Sequence, residues 1–367
     1  MRYFDYLRED EEEKMFYLLP KDFSRDDSLD ILSYGLGATL YVPAVNGNIS
    51  NYIINRKIEG LVSMVICLED AIGDNVVKRA QENLLMHLRN INDKLKEGII
   101  DYESIPLLFI RVRNPKHLKH IIELLGENIN LITGFVFPKF SSHNGYEFFN
   151  IIESFKYKEL YGMPILETKE ILYKDSRYDE LEKVRIILGD YRKRVLNIRV
   201  GATDFCSSFG IRRPYDKSIY DVNIISDCLL DILNYFIREE ENYVISGPVW
   251  EYFSSMKNRK DSKFIRGLIN EAYMDKINGF MGKTVIHPSH IMPVQSTLIV
   301  KKEEYLDALN IIKNNNGTTG VLKSEFGNKM NEIKPHLNWA NKVIKKSNIY
   351  GVFNGEEDYE SFLKRKL

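Results

Sequence analysis

GMPILETKEILYKDSRYDELEKVRIILGDYRKRVLNIRVGATDF, residues 162–205, contains two short apolar runs separated by a segment long enough for a helix. GMPILET (162–168) and VLNIRVG (195–201) have the length and apolar content of strands buried on both faces. Glu167 closes the first run and Asp204 follows the second. In a parallel strand–helix–strand arrangement these acids stand at neighbouring strand ends, one unit apart. Carboxylates so placed are a common way for an α/β barrel to hold a hard divalent cation. As ordinary loop acids, Glu167 would instead cap the next helix and Asp204 would order its own loop.

Six further runs share this character. They are GATLYVPA (37–44), LVSMVICLED (61–70), IPLLFIRVRNP (105–115), ITGFVFPKF (132–140), NYVISGP (242–248) and GKTVIHP (282–288). Segments of helical period lie between runs, among them 75–95, 115–127 and 220–241. Successive runs start about 25–45 residues apart, the spacing of right-handed βα units with modest insertions. Eight strands alternating with helices most simply close into a (β/α)8 barrel. The alternative, an open doubly wound sheet, lacks support because no G-x-G-x-x-G follows any run. The expected organisation is an N-terminal extension over 1–30, a barrel over 31–300 and a helical tail over 301–367. The tail carries helical stretches at 303–313 and 335–346 around NNNGTTG (314–320), a composition that predicts an exposed loop.

Composition narrows the partners. The 367 residues are 44% hydrophobic and 28% charged with a formal net charge of −1, as in an ordinary globular enzyme. No basic stripe interleaved with aromatics is present, which argues against nucleic acid. Three widely spaced cysteines, Cys67, Cys206 and Cys228, fit neither a disulfide framework nor a zinc pattern, so buried free thiols in a reducing cytoplasm are expected. No run approaches the roughly 18 apolar residues that cross a bilayer, and MRYFDYLREDEEEK has acids where a signal peptide needs an apolar stretch. A soluble chain, without membrane or nucleic-acid partners, follows as the expectation.

The ends of the runs carry the chemistry. Glu69 and Asp70 end the second, Arg111 and Arg113 the third, Lys139 the fourth, Glu167 the fifth, Asp204 follows the sixth, and His287 ends the eighth. Barrel enzymes place their reacting groups on this face. Gly201 and Ala202 leave room for a ligand to approach backbone N–H groups beside Asp204. Arg111 and Arg113, two apart on a strand, point to one face, where a guanidinium pairs either with a nearby acid or with a substrate carboxylate. Of the consecutive Glu69 and Asp70 only one faces the barrel axis; one suits proton transfer and the other a cap or an arginine partner. Lys139 suits an anion contact or a solvated loop, and His287 a proton carrier or a structural hydrogen bonder.

The chain resembles the citrate lyase beta-subunit-like enzymes of the HpcH/HpaI aldolase and phosphoenolpyruvate/pyruvate-binding barrel group. The segments that carry the likeness are CLEDAI (67–72), FIRVRNP (109–115), FVFPK (135–139), PILET (164–168), RVGATDF (199–205) and GKTVIHP (282–288). The longer strings GATLYVPA, GATDFCSSFGIRRP and SGPVWEYF are similar to a branch of C–C bond lyase-type barrel proteins. The resemblance implies a modified barrel, often trimeric, with magnesium (manganese as the alternative ion) on Glu167 and Asp204. It also implies Arg111 as the substrate arginine and Glu69 and Asp70 as the acidic pair. Arg113 replaces the asparagine of the family's R-V-N, which leaves the choice of arginine open. Val77 and Gln81 stand where family members often carry a lysine and an arginine, which weighs against a coenzyme A thioester without removing it.

The expected activity is therefore magnesium-dependent cleavage or formation of a carbon–carbon bond through an enolate. The substrate would be a 2-oxo acid, a 3-hydroxy acid or an acyl-CoA-like compound. Arg111, Gly201, Ala202, Lys139 and His287 would contact substrate, and Arg111, Arg113, Glu69 and Asp70 would act in catalysis. Alternatives on the same scaffold are a thioester hydrolase, another phosphoenolpyruvate/pyruvate-type enzyme, or a metabolite-binding barrel without turnover.

Overall fold

All eight apolar runs form strands, and all eight are parallel. The structure is a computed structural model that describes residues 1–254, 262–355 and 357–366. The strands are β1 (Ala38–Pro43), β2 (Ser63–Cys67), β3 (Leu107–Arg111), β4 (Gly134–Phe137), β5 (Tyr161–Leu166), β6 (Ile198–Val200), β7 (Ile245–Ser246) and β8 (Lys283–Val285). Each pairs with its sequence neighbours, and β8 returns to β1 with Ala38 opposite Lys283. A bridge between Gly247 and Lys283 joins β7 to β8 and closes the cylinder. The result is a (β/α)8 barrel.

The helices sit outside and bury one stripe each. They are α1 (Ile49–Ile54), α2 (Val77–Lys96), α3 (Pro115–Leu125), α4 (Gly145–Ser154), α5 (Lys174–Asp190), α6 (Asn223–Phe236), α7 (Lys263–Asn278) and α8 (Ile291–Leu298). In α2, Ala80, Leu84, Leu88 and Ile91 face the strands, three and four residues apart. Helix α3 starts where the sequence provides a stop and a cap. Asn114 accepts from the His117 N–H at 2.9 Å, and Pro115 fills a position whose N–H has no helical partner.

Alternation along the strands sorts two layers of core. Leu40, Met64, Ile66, Leu108 and Ile110 face the helices, whereas Val65, Phe109, Val136, Met163 and Ile165 fill the barrel. The barrel interior continues into the N-terminal segment, where Tyr3, Phe4 and Phe16 pack in the same cluster as Val62, Leu107 and Tyr161 at the starts of strands. Of the tail helices α9 (Lys302–Lys313), α10 (Ile333–Tyr350) and α11 (Tyr359–Lys366), the last two join this cap, and α9 packs on α10 in a separate cluster of Ala308, Ile311, Ala340 and Val343. Tyr350 donates to the Tyr34 carbonyl at 2.5 Å, and the short strand Phe16–Leu18 pairs with Val352–Phe353. Both chain ends thus close the N-terminal end of the barrel, and the strands' C-terminal ends carry the polar residues. No described helix is long and apolar enough to cross a membrane.

Candidate active site

At the end of β3, Arg111 is nearly buried and its Nη2 meets three carboxylates. Glu69 Oε2 lies at 2.6 Å, Asp70 Oδ2 at 3.1 Å and Glu167 Oε1 at 3.2 Å. No described hydrogen bond uses Nη1, and Nε is buried without a partner. Three acids from the ends of β2 and β5 therefore hold one nitrogen of the guanidinium.

Lys139 stands on the other side of the same acids. Its Nζ lies 3.2 Å from Asp204 Oδ1, 3.5 Å from both Glu69 Oε1 and Asp70 Oδ2, and 3.8 Å from Glu167 Oε1. The Lys139 backbone sits in the left-handed region at φ 48°, and its N–H donates to Glu167 Oε1 at 2.9 Å. A non-glycine residue held there is strained and needs such anchoring. Four carboxylates thus converge on one cation position. The burial of Lys139 works against its charge, but Glu167, Glu69, Asp204 and Asp70 outweigh it and raise the ammonium pKa.

The acids differ in environment. Burial pushes Glu167 up to about 7, with Arg111 opposing and Asp204 adding to the rise. Burial also raises Glu69, against the pull of Arg111. Asp70 is more exposed; burial acts upward, but its hydrogen bond with Glu69 and the charges of Arg111 and Lys139 carry it below its ordinary value. Neighbouring carboxylates pushed in opposite directions are the arrangement that acid–base chemistry uses.

Gly201 and Ala202 open the short helix Ala202–Ser208, which puts Asp204 in its first turn. A Cβ on Gly201 would fall 2.2 Å from Glu167 Oε2, so the carboxylate packs directly on the glycine backbone. Oε2 carries no described hydrogen bond, in contrast to Oε1. Hard oxygen donors, one of them unengaged, and a position already taken by a cation fit a divalent metal. Among the described residues no three His, Cys, Asp or Glu side chains form a ready-made cage. Two carboxylates with further positions left to water and substrate match how magnesium is commonly held.

Two expected residues stand apart from this cluster. Arg113 pairs with Asp74 and reaches the Leu68 carbonyl at 3.5 Å, while its N–H donates to His117 Nδ1 at 3.1 Å. His287 stacks on Phe253 with ring centroids 4.7 Å apart and shares a 2.7 Å hydrogen bond with Ser289. Neither set of contacts includes the four carboxylates.

The sequence reading passed over two inward residues. Tyr41 of β1 lies under the cluster, in the field of Arg199, Arg111, Cys67 and Glu167. The Arg199 guanidinium is buried 5.4 Å from the Tyr41 ring centroid and donates to Thr284 Oγ1 at 2.8 Å. The available signal was the alternation in TLYVP and IRV, which turns Thr39, Tyr41 and Arg199 inward. Cys67, Cys206 and Cys228 are buried free thiols, as expected.

A closed barrel with acids, an arginine and a lysine gathered at its C-terminal mouth defines an α/β-barrel enzyme. The family model of the C–C bond lyases of the TIM-barrel fold matches residues 30–352, and the chain belongs to that family of carbon–carbon lyases. Among solved structures it is similar to CitE from Mycobacterium tuberculosis in complex with magnesium, acetoacetate and coenzyme A. That similarity has 15% identity over 88% of this chain and 99% of that one, with a TM-score of 0.55. It is also similar to the lead(II) complex of Haloferax volcanii malate synthase, at 13% identity over 70% of this chain and 72% of that one, with a TM-score of 0.50. At these identities the likeness is one of fold. No curated protein matches the chain.

Proposed function

We propose that this lyase makes or breaks a carbon–carbon bond next to a carbonyl in a small carboxylate substrate, through an enolate and with magnesium as its ion. The observation that carries the reading is the convergence of Glu69, Asp70, Glu167 and Asp204 on the Lys139 ammonium beside Arg111. Glu167 and Asp204 would hold the ion, which when bound supplies Lewis-acid polarisation of a keto oxygen.

The chain's own residues do the rest. Arg111, fixed by Glu69 and Glu167 through Nη2, presents Nη1 to the oxyanion that develops as the bond breaks. Lys139 pairs with the substrate carboxylate once its ammonium leaves the acids. Gly201 adds no side-chain bulk, its own N–H going to the Leu166 carbonyl at 3.1 Å, and Ala202, at the first position of its helix, offers its backbone N–H to the substrate. Glu69, raised by burial and bonded to the Asp70 N–H at 2.8 Å, is placed to take or return a proton. A 2-oxo or 3-hydroxy acid meets these contacts without a thioester. The CitE relative was solved with coenzyme A, so a thioester form of the substrate stays within the reading.

Calorimetric titration of magnesium into the wild type and into Glu167→Ala and Asp204→Ala tests the assignment. Binding is expected in the wild type and lost in both variants; unchanged affinity in both would sink it.

A further inference from the structure

Five arginines are buried among the described residues: Arg25, Arg111, Arg177, Arg199 and Arg213. Arg111, Arg177 and Arg213 pair with acids, and Arg199 gives Nη1 and Nη2 to threonine hydroxyls. Arg25 has neither arrangement. Its Nη2 donates to the Leu131 carbonyl and its guanidinium carbon lies 4.8 Å from the Tyr102 ring centroid, while Nε and Nη1 are buried with no hydrogen-bond partner. A buried guanidinium short of acceptors is costly, and an anion is what normally relieves that cost.

Arg25 lines a cavity of about 390 Å3 with Thr133, Lys158, Tyr161 and Lys193 at the N-terminal end of β4 and β5. This lies on the opposite end of the barrel from Arg111 and Lys139. Lys158 donates to the Asn130 carbonyl at 2.8 Å, and the Thr133 hydroxyl is buried without a partner. Among the described residues none of Arg25, Lys158 and Lys193 forms an ion pair with a carboxylate. The acids on the wall are engaged or exposed. Asp27 accepts from the Ser24 N–H at 2.7 Å, Glu159 pairs with Arg194 at 3.1 Å, and Asp26 stands exposed at the rim. Burial first, then the Arg25 charge, pushes Lys158 down to about 8, with Asp26 opposing.

We infer that this cavity is an anion site for a phosphate group, free or carried by a small metabolite, separate from the reaction centre. A phosphate offers more acceptor oxygens than a carboxylate to a guanidinium, an ammonium and a hydroxyl. The volume exceeds that of the phosphate alone, so a small phosphomonoester fits as well. Arg25 and Lys158 also tie down the carbonyls that end the Gly126–Leu131 turn, and that role by itself requires no ligand.

The test is calorimetric titration of the full-length protein with inorganic phosphate and, in a second arm, with glycerol phosphate. Saturable binding is expected in the wild type, at least tenfold weaker in Arg25→Gln and in Lys158→Met, and retained in Arg111→Gln. If Arg25→Gln fails to fold, Lys158→Met and Thr133→Val carry the comparison. Tighter binding of glycerol phosphate than of phosphate assigns the site to a metabolite, and the reverse order to the free ion. No saturable binding by either ligand overturns the inference. So does binding unaffected by the folded variants of this cavity, or binding lost in Arg111→Gln.

Discussion

Lys139 Nζ lies 3.2 Å from Asp204 Oδ1, so a lysine of β4's end occupies the position that the proposed metal ligands define. The ammonium and a divalent ion compete for the same oxygens. Lys139→Met is therefore expected to tighten magnesium binding by calorimetry, by about three- to tenfold given that the lysine is half exposed and screened. The same variant should weaken binding of pyruvate, because the substrate carboxylate loses its partner. Weaker magnesium binding in Lys139→Met would mean the lysine supports the metal site instead of competing for it.

Arg111 and Arg113 separate cleanly in the fold although they are two residues apart. Arg111→Gln should lower kcat/KM by roughly 10²- to 10³-fold, the usual cost of losing a donor to a developing oxyanion. Arg113→Asn, which gives up an exposed partner in Asp74, should stay within about threefold of wild type. Steady-state kinetics on any 2-oxo or 3-hydroxy acid that the wild type turns over decides between them. A larger loss from Arg113→Asn would reverse the assignment.

Gly201 is a steric requirement of the site. Its missing Cβ would lie 2.2 Å from Glu167 Oε2, so Gly201→Ala must displace the carboxylate. The expected result is a folded protein by circular dichroism whose magnesium affinity drops at least tenfold. Wild-type affinity in Gly201→Ala would show that Glu167 Oε2 is not a ligand.

His290 ties stability to acid. It is fully buried, and burial together with His287 pushes it down to about 3. Its pKa is lower folded than unfolded, so the neutral form is the one the fold keeps. That contribution is complete above the unfolded value near 6.5 and is lost as pH falls toward 3. Between pH 7 and pH 5 the folded state should lose up to about 2 kcal/mol through this group. Urea melts at both pH values should show a smaller loss in His290→Gln. An identical loss would remove His290 as the cause.

Lys283 belongs to the GKTVIHP run but points outward. Its Nζ meets Glu271 at 2.9 Å and Asp275 at 2.6 Å, all fully or nearly buried against α7. Lys283→Met leaves two buried acids short of a counter-charge and should cost about 3–5 kcal/mol in denaturant titration. A loss under about 1 kcal/mol would indicate that Arg213 and Tyr220, which also contact these acids, suffice.

The β-strands were legible because each is a short apolar run, and burial on both faces leaves few polar residues to blur its limits. The ends of the strands were harder. LVSMVICLED reads as one run through Asp70, but the strand stops at Cys67, and the last residues turn into the mouth. Glu69 and Asp70 are consecutive, yet both reach Arg111, since strand alternation has ended before them. Arg111 and Arg113 show the opposite failure. Same-face geometry holds only while the strand continues, and Arg113 lies beyond the last paired residue, so it swings to Asp74.

By itself the sequence determined eight parallel strands, the order of the barrel and the face on which acids and bases collect, because hydrophobic period and chain direction are local properties. Tertiary structure alone decided that Lys139 sits among the four carboxylates, that Arg111 rather than Arg113 joins them, and that Arg25 is buried without an acid. These are distances between residues dozens of positions apart, and only the closing of the barrel and the packing of its two ends set them.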